Sequence, residues 1–293
     1  METLEGLSEA LETTGDIRSI VRTMKSLSAV SIRQYEQAEA ALADYERTIE
    51  LGLAAALGDR RARGLPLPAT APPSGGEALL VIGSDRGLCG HYNETVARFA
   101  LERIGPGTGL VAVIGARAAA RLDSEGHPPD RLFALPGSVA GLTRTVQSAI
   151  VEIDRWTRER GIARVRLVHN RRQGRADAAP AERRLLPIPD ATLAELSRAE
   201  WPGRGLPFFR LPPERLLSWL VQQRLFVLLY RALAEALASE HATRLAAMQR
   251  AEGNIEERQA DLTAAYRRKR QETITRELLD VVAGFEAVSS DEE

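Results

Sequence analysis

The chain has 293 residues, and 44% of them are hydrophobic, which is enough to build a substantial packed core. Its 39 Lys and Arg residues almost balance 40 Asp and Glu residues, so the overall charge gives no reason to expect a nucleic acid as the main partner. A lone cysteine cannot form an internal disulfide, and we find neither a signal-peptide pattern nor an apolar run long enough to span a membrane. We therefore expect a cytosolic chain without direct membrane insertion.

The first predicted element is a long helix from Leu4 to about Leu57, because this stretch contains no proline and few glycines. Its larger side chains recur at steps of mostly three and four residues, which is typical of a coiled-coil seam. The predicted seam consists of Ile17, Ile20, Met24, Leu27, Tyr35, Ala38, Leu42, Tyr45 and Ile49, with Ser31 in the one missing place.

Residues 76–200 have a different pattern and are bounded by breaker-rich linkers at 58–75 and 201–211. The runs "EALLVIG", "GLVAVIG" and "ARVRLVHN" are unbroken and β-branched, which favours strands buried on both faces. Helical stretches at roughly 93–104, 115–123 and 141–160 separate them, and "ERRLLPIP" is a candidate edge strand. The alternation predicts a small, Rossmann-like α/β domain with a mainly parallel sheet.

A second long helix is predicted from about Glu214 to Val288, again without proline. Residues 216–230 are apolar on nearly every face and are expected to lie between other elements, and beyond them the apolar stripe narrows. The predicted fold is therefore a long antiparallel coiled coil of residues 1–57 and 212–293, with the α/β domain inserted between its two helices. The narrow stripe includes Leu233, Leu237, Leu245, Met248, Ile255, Leu262, Tyr266, Ile274, Leu278, Val281, Phe285 and Val288.

The segment "SDRGLCGHYN" follows the first predicted strand, a position where α/β sheets often bind ligands. Its glycines fit neither of the usual phosphate-binding patterns, and the four histidines have no metal-ligand spacing with Cys89. We therefore expect no cofactor, no metal and no catalytic group, and interpret the segment as a shape-setting turn. The residues that define it are Ser84, Asp85, Arg86, Gly87, Leu88, Cys89, Gly90 and Asn93.

Several segments together carry a family resemblance. The turn is similar to the central signature of the gamma subunits of F-type ATP synthases. "IVRTMKSLSA" at 20–29, "SEHATRLAAM" at 239–248 and "RQETITRELLDVVAGFEA" at 270–287 resemble the N-terminal and C-terminal motifs of that family, in the same order. Lys25, Ser31, Asp280 and Phe285 depart from the family pattern, which suggests a divergent bacterial branch, with one of the Na⁺-translocating type as a candidate.

The resemblance implies a central rotor shaft without catalytic groups, coupling ion flow to ATP synthesis or hydrolysis. The implied partners are the alpha and beta subunits, the epsilon subunit and the ring of c subunits, at the cytoplasmic face of the bacterial plasma membrane. Whether the coupling ion is H⁺ or Na⁺ stays open. The positions that match the family's rotor–stator contact segments are Met24, Lys25, Arg244, Arg270, Gln271 and Glu277.

Two other classes of protein are compatible with parts of the pattern. One is a small α/β enzyme whose site is the loop at 84–94 and whose long helices serve only for dimerisation. The other is a cytosolic coiled-coil scaffold unrelated to ATP. The two ends of the chain carry matching stripes of different composition, which favours pairing within one chain over a homodimer.

Overall fold

The structure is a computed structural model that describes residues 3–68, 75–174, 177–202, 205 and 207–290, with the backbone only at 177 and 284–290. Parts of the two predicted linkers and both chain ends lie outside these residues. The chain divides into two compact units. We call Met1–Leu27 with Ala246–Glu293 the paired-helix unit, and Ser28–Leu245 the sheet unit.

The sheet unit contains five strands in the order β3-β2-β1-β4-β5. The first four strands in this order run parallel, and β5 pairs antiparallel with β4 at the sheet edge. The predicted mainly parallel sheet and its edge strand are therefore confirmed, whereas the three-residue β3 was not predicted. The strands are β1 (Gly76–Ile82), β2 (Thr108–Ile114), β3 (Arg131–Phe133), β4 (Ile162–Gln173) and β5 (Asp177–Leu186).

Seven helices occur within the described residues, and the first and last of them contribute to both units. The first predicted helix is interrupted at Ala41–Leu42, where the Leu42 N–H bonds to the carbonyl oxygen of Glu39, three residues back, and it then continues to Ala62. The helices are α1 (Leu4–Ala40), α2 (Ala43–Ala62), α3 (Tyr92–Leu101), α4 (Ala116–Ser124), α5 (Val139–Glu159), α6 (Asp190–Arg198) and α7 (Pro213–Ser290).

Both faces of the sheet are covered, which explains why its strands are unbroken apolar runs. Along β1, Leu79 and Val81 pack against α3 and α4, while Leu80 and Ile82 pack in a larger cluster with α5 and α7. A third cluster joins α2, α6 and the start of α7. Residues 217–229 of α7 contribute to both the second and the third of these clusters, as expected for a segment that lies between other elements.

The seam predicted along the first helix was only partly right: Tyr35 and Ile49 are buried, but three of the larger side chains before them are exposed. Ile17, Ile20 and Leu27 are 47, 59 and 63% exposed. The buried and half-buried positions instead follow a seven-residue spacing, which comprises Leu7, Thr14 and Val21 in the paired-helix unit and Ser28 and Tyr35 in the sheet unit. A one-residue shift turns a helical stripe by about 100°, so Ile17, Ile20 and Leu27 lie off the buried stripe.

The terminal helices pair in an antiparallel sense within each unit. In the paired-helix unit, Arg18 bonds to Gln259 at 3.1 Å and Arg22 to Glu252 at 2.9 Å, so the numbering rises on α1 as it falls on α7. In the sheet unit, Tyr35 stacks on His241, and Tyr45 of α2 donates to Gln223 at 2.7 Å. The mixed α/β fold with long terminal helices and a central sheet is therefore confirmed.

Candidate functional site

The turn that follows β1, residues 84–93, is built around the buried Ser84. The Ser84 N–H donates to the Asn93 side-chain oxygen at 2.9 Å, and the Asn93 amide donates back to Ser84 Oγ at 2.7 Å. Ser84 Oγ in turn donates to the Arg86 carbonyl oxygen at 2.8 Å. Gly83 is required here because a Cβ atom on it would lie 2.2 Å from the Ala118 side chain. These bonds fix the backbone at the end of the strand.

Asp85 fastens the turn to the neighbouring loops of the sheet. One carboxylate oxygen accepts the Ala116 N–H at 2.8 Å, which caps the N-terminus of α4, and the other accepts the Leu135 N–H at 3.2 Å. A carboxylate at a helix N-terminus is also favoured by the helix dipole. Both contacts support the interpretation of the segment as a shape-setting turn.

The cysteine of the turn is packed inside the protein. Leu88 adopts a left-handed φ of 60° and is 65% exposed, whereas Cys89 is 1% exposed. Burial raises the pKa of the Cys89 thiol, which disfavours the reactive thiolate, and the thiol lies 3.7 Å from the Arg86 carbonyl oxygen. The His91 ring is bonded to Glu94 at 3.2 Å. This arrangement favours a packed thiol over a nucleophile.

The turn rests on one face of α7. Tyr92, which is buried, donates its hydroxyl to the Ala236 carbonyl oxygen at 2.8 Å. The Arg244 guanidinium donates to the carbonyl oxygens of Gly87 at 3.3 Å and of Arg86 at 3.5 Å. It also donates to Glu240 at 2.5 Å, and the side chains of Arg244 and Glu240 are only 6 and 5% exposed.

Burial controls the electrostatics beneath the turn. Loss of hydration raises the pKa of Glu240, and the adjacent Arg244 charge opposes this rise. Burial lowers the pKa of His241 to about 4, and the positive charges of Arg244 and Arg86 act in the same direction. His241 is therefore neutral at pH 7 and stacks on Tyr35 with ring centroids 5.7 Å apart.

The other predicted contact residues belong to the paired-helix unit. Met24 is half-buried, and Lys25 forms an ion pair with Glu252, which also accepts from Arg22. Hydrogen bonds from Lys25 and Arg22 lower the pKa of Glu252. Arg270, Gln271 and Glu277 are exposed on α7, so this unit presents them on its surface while Arg244 lies buried in the sheet unit.

The end of α7 also exposes apolar side chains. The Gly15–Gln259 approach and the start of α1 at Leu4 imply that α1 ends near the level of residue 270, so the last turns of α7 extend beyond it. This accounts for the exposure of seam residues that the sequence predicted to be buried; Phe285 and Val288 lie outside the described side chains. The exposed seam residues are Ile274, Leu278 and Val281, and Leu279 and Val282, which lie outside the predicted stripe, are exposed as well.

Sequence reasoning missed the partners of the turn. It named Arg244 as a stator contact and did not assign roles to Glu240 or Tyr92. The available signal was the Glu240–Arg244 spacing of four residues, which places opposite charges side by side on a helix. No group of three or more potential metal ligands, and no helix suited to span a membrane, occurs in the part of the chain that the structure describes.

Comparisons with known proteins were made on the sequence and on the fold. Residues 3–288 match a family model described as ATP synthase. The ATP synthase gamma chain of Synechococcus sp. (strain PCC 6716) is 30% identical over 317 residues, which cover 98% of this chain and 100% of that protein. The gamma chain of Granulibacter bethesdensis is also 30% identical, with the same shares covered.

The fold resembles that of chains in solved ATP synthase assemblies. A chain in the OSCP/F1/c-ring structure of the Euglena gracilis mitochondrial ATP synthase gives a TM-score of 0.68 at 19% identity, covering 99% of this chain and 96% of that one. A chain of the Tetrahymena thermophila central stalk and c-ring gives 0.56 at 21% identity, covering 79% and 99%.

Proposed function

This chain belongs to the ATP synthase gamma-chain family, and we propose that it is the central rotor subunit of a rotary ATP synthase. It couples ion-driven rotation of a c-ring to ATP synthesis or hydrolysis in the alpha and beta subunits. The observation that carries this proposal is the match along nearly the whole chain to gamma chains, together with antiparallel pairing of its two terminal helices.

A rotor changes the state of its partners only if its contact energy with them depends on the rotation angle. Exposed apolar and charged side chains near the end of α7 supply such an asymmetric surface. We propose that this chain contacts the alpha and beta subunits, which together we call the catalytic ring, through Met24, Lys25, Arg270, Gln271 and Glu277. By family similarity we place Arg244 in the same set, although in the isolated chain its side chain is buried against the turn.

We further propose that residues 1–57 and 212–293 form the shaft and that residues 76–200 form the head beside the epsilon subunit and the c-ring. The chain itself is non-catalytic in this proposal. A buried thiol with a raised pKa and a turn committed to internal hydrogen bonds support that view. The complex works at the cytoplasmic face of a bacterial plasma membrane.

The decisive experiment is purification of the tagged full chain from its native host, with identification of the copurifying proteins. Recovery with alpha, beta and c subunits is expected. A homodimer with bound nucleotide would instead support the small-enzyme alternative, and a homodimer without nucleotide would support the coiled-coil scaffold.

The same complex tests the contact residues. Replacing Arg270 and Gln271 by Ala is expected to lower the yield of complex or the ion transport per ATP hydrolysed, because both side chains are exposed near the end of α7. The matched control replaces Gln249 and Arg250 by Ala. This exposed pair has the same two residue types and lies on the same helix, and its variant should behave like the wild type. Normal assembly and coupling in the first variant would remove these residues from the contact set.

A further inference from the structure

Three residues of α7 meet the turn at a regular spacing. Ala236, Glu240 and Arg244 are four residues apart, so they lie on one face of the helix along about 12 Å of its axis. The Tyr92 hydroxyl bonds to the first of them, and the carbonyl oxygens of the turn bond to the last. We call these three α7 positions with Tyr92 and the two turn carbonyls the turn clamp.

The chemistry of the turn clamp depends on arginine. One terminal nitrogen of the planar guanidinium, Nη2, makes all three contacts: one N–H points to Glu240, and the two carbonyl oxygens share the other. The plane of the guanidinium fixes these directions, which the freely rotating ammonium of lysine does not. The two carbonyl oxygens carry no net charge, so they do not neutralise the buried guanidinium. The Glu240 carboxylate does, and its oxygen lies 2.5 Å from the Arg244 nitrogen. Glu240 therefore makes it possible to bury Arg244 under the turn.

The rest of the contact between α7 and the sheet is apolar. Leu225, Leu229, Leu233 and Leu237 of α7 pack with the sheet in the main cluster. Apolar packing is non-directional, so it resists separation of two surfaces more than their sliding. Charged hydrogen bonds have preferred directions, and the turn clamp adds such bonds at the end of β1.

From this geometry we infer that Arg244, supported by Glu240, is a positioning residue that locks the turn to α7. A twisting load on the sheet then reaches α7 without slip at the loop after β1. The inference rests on the proposed rotor function, and it assigns Arg244 a role inside the chain that differs from contact with the catalytic ring.

The main test uses the double variant E240L/R244M, which removes both charges and keeps apolar volume. Replacing a buried ion pair by apolar residues commonly preserves stability, so the full chain should unfold at a temperature close to that of the wild type. Hydrogen exchange in the peptide spanning residues 84–93 should nevertheless become about tenfold faster, because the charged hydrogen bonds to the turn are lost. In the reconstituted complex, ion pumping should fall while ATP hydrolysis continues.

The matched control is E46L/R231M, which removes another ion pair between α7 and a second helix of the sheet unit, with its atoms 2.8 Å apart. It should leave exchange at residues 84–93 unchanged. If E240L/R244M does not fold, R244K and Y92F replace it. Each is expected to raise exchange at the turn.

If hydrogen exchange at residues 84–93 is unchanged in these variants, the inference that Arg244 locks the turn to α7 is wrong. Faster exchange with normal pumping would overturn its mechanical role while leaving the rotor function in place. Failure of the wild-type chain to join alpha, beta and c subunits would instead refute the rotor function, and the exchange measurement on the full chain would still decide whether Arg244 holds the turn.

Discussion

Helix α7 buries most of its side chains between Leu225 and Leu245 and exposes most of them beyond Tyr266. In the first stretch, leucine and alanine pack against the sheet, and the charged residues Glu240 and Arg244 are buried as a pair. In the second, arginine, glutamate and apolar residues face outward together. One helix thus contains a segment whose side chains are fixed by packing within the chain and another whose side chains are exposed.

The largest expected effect comes from making the same substitution, Leu to Ala, once in each of these two stretches of α7. Leu233→Ala should lower the free energy of unfolding by about 3 kcal/mol, because Leu233 is 1% exposed and its removal leaves a cavity. Leu278→Ala should change it little, because Leu278 is 61% exposed. Urea unfolding of the full chain measures both.

The yield of assembled complex is a second measurement that distinguishes the two stretches of α7. This yield should fall for Leu278→Ala. Equal losses of stability in the two variants would show that the end of α7 is packed within the chain after all.

A smaller effect concerns pH and the buried stretch. The pKa of His241 is about 4 in the folded chain and near its usual value of about 6.5 in the unfolded chain, so protons bind preferentially to the unfolded chain in this window. Stability should therefore fall as the pH drops from about 6.5 to 4, by about 2 kcal/mol after allowance for partial exposure of the ring. His241→Gln should remove this part of the pH dependence in urea unfolding.

The control for that measurement is His127→Gln, since His127 is exposed. Its unfolding curve should keep the pH dependence of the wild type. A His241→Gln variant with the same acid sensitivity as the wild type would contradict the assignment to His241.

The smallest effect is expected at the ion pairs of the paired-helix unit. Lys25→Glu places two carboxylates together, because Lys25 pairs with Glu252, and it should lower the melting temperature slightly in low salt. At 1 M salt the screening length is about 3 Å, so the difference should disappear. Arg258→Glu, at an exposed position of α7, serves as the control. A loss that persists in high salt would mean that Lys25 contributes through packing.

The sequence was sufficient for the main elements of the sheet unit, because β1, β2 and β4 are unbroken apolar runs. It was insufficient for β3, since three residues carry too little periodicity, and α6 was also not predicted. The seam was wrong at Ile17, Ile20 and Leu27 for a physical reason: these residues are as regularly spaced as the buried and half-buried positions, which include the polar Thr14 and Ser28. Hydrophobic spacing alone does not distinguish a face that packs internally from one that is exposed.

The turn shows a second limit. Its residues were identified from the sequence, and the cap formed by Asp85 could be anticipated from residue type. The contacts of Tyr92 and Arg244 with the opposite element join residues 144 and 157 positions apart. A single sequence contains no signal for pairings at that distance, so the contacts between the turn and α7 were missed, whereas the Glu240–Arg244 pair could have been found from its spacing of four residues.

The burial of Cys89 has a practical consequence for following motion in this chain. It is the only cysteine among 293 residues, it is 1% exposed, and its pKa is raised, so thiol reagents should react with it slowly. A cysteine introduced at an exposed position, such as Gln249, can therefore carry a fluorescent label without replacement of the native thiol. Rotation inside an assembled complex becomes observable with a single substitution.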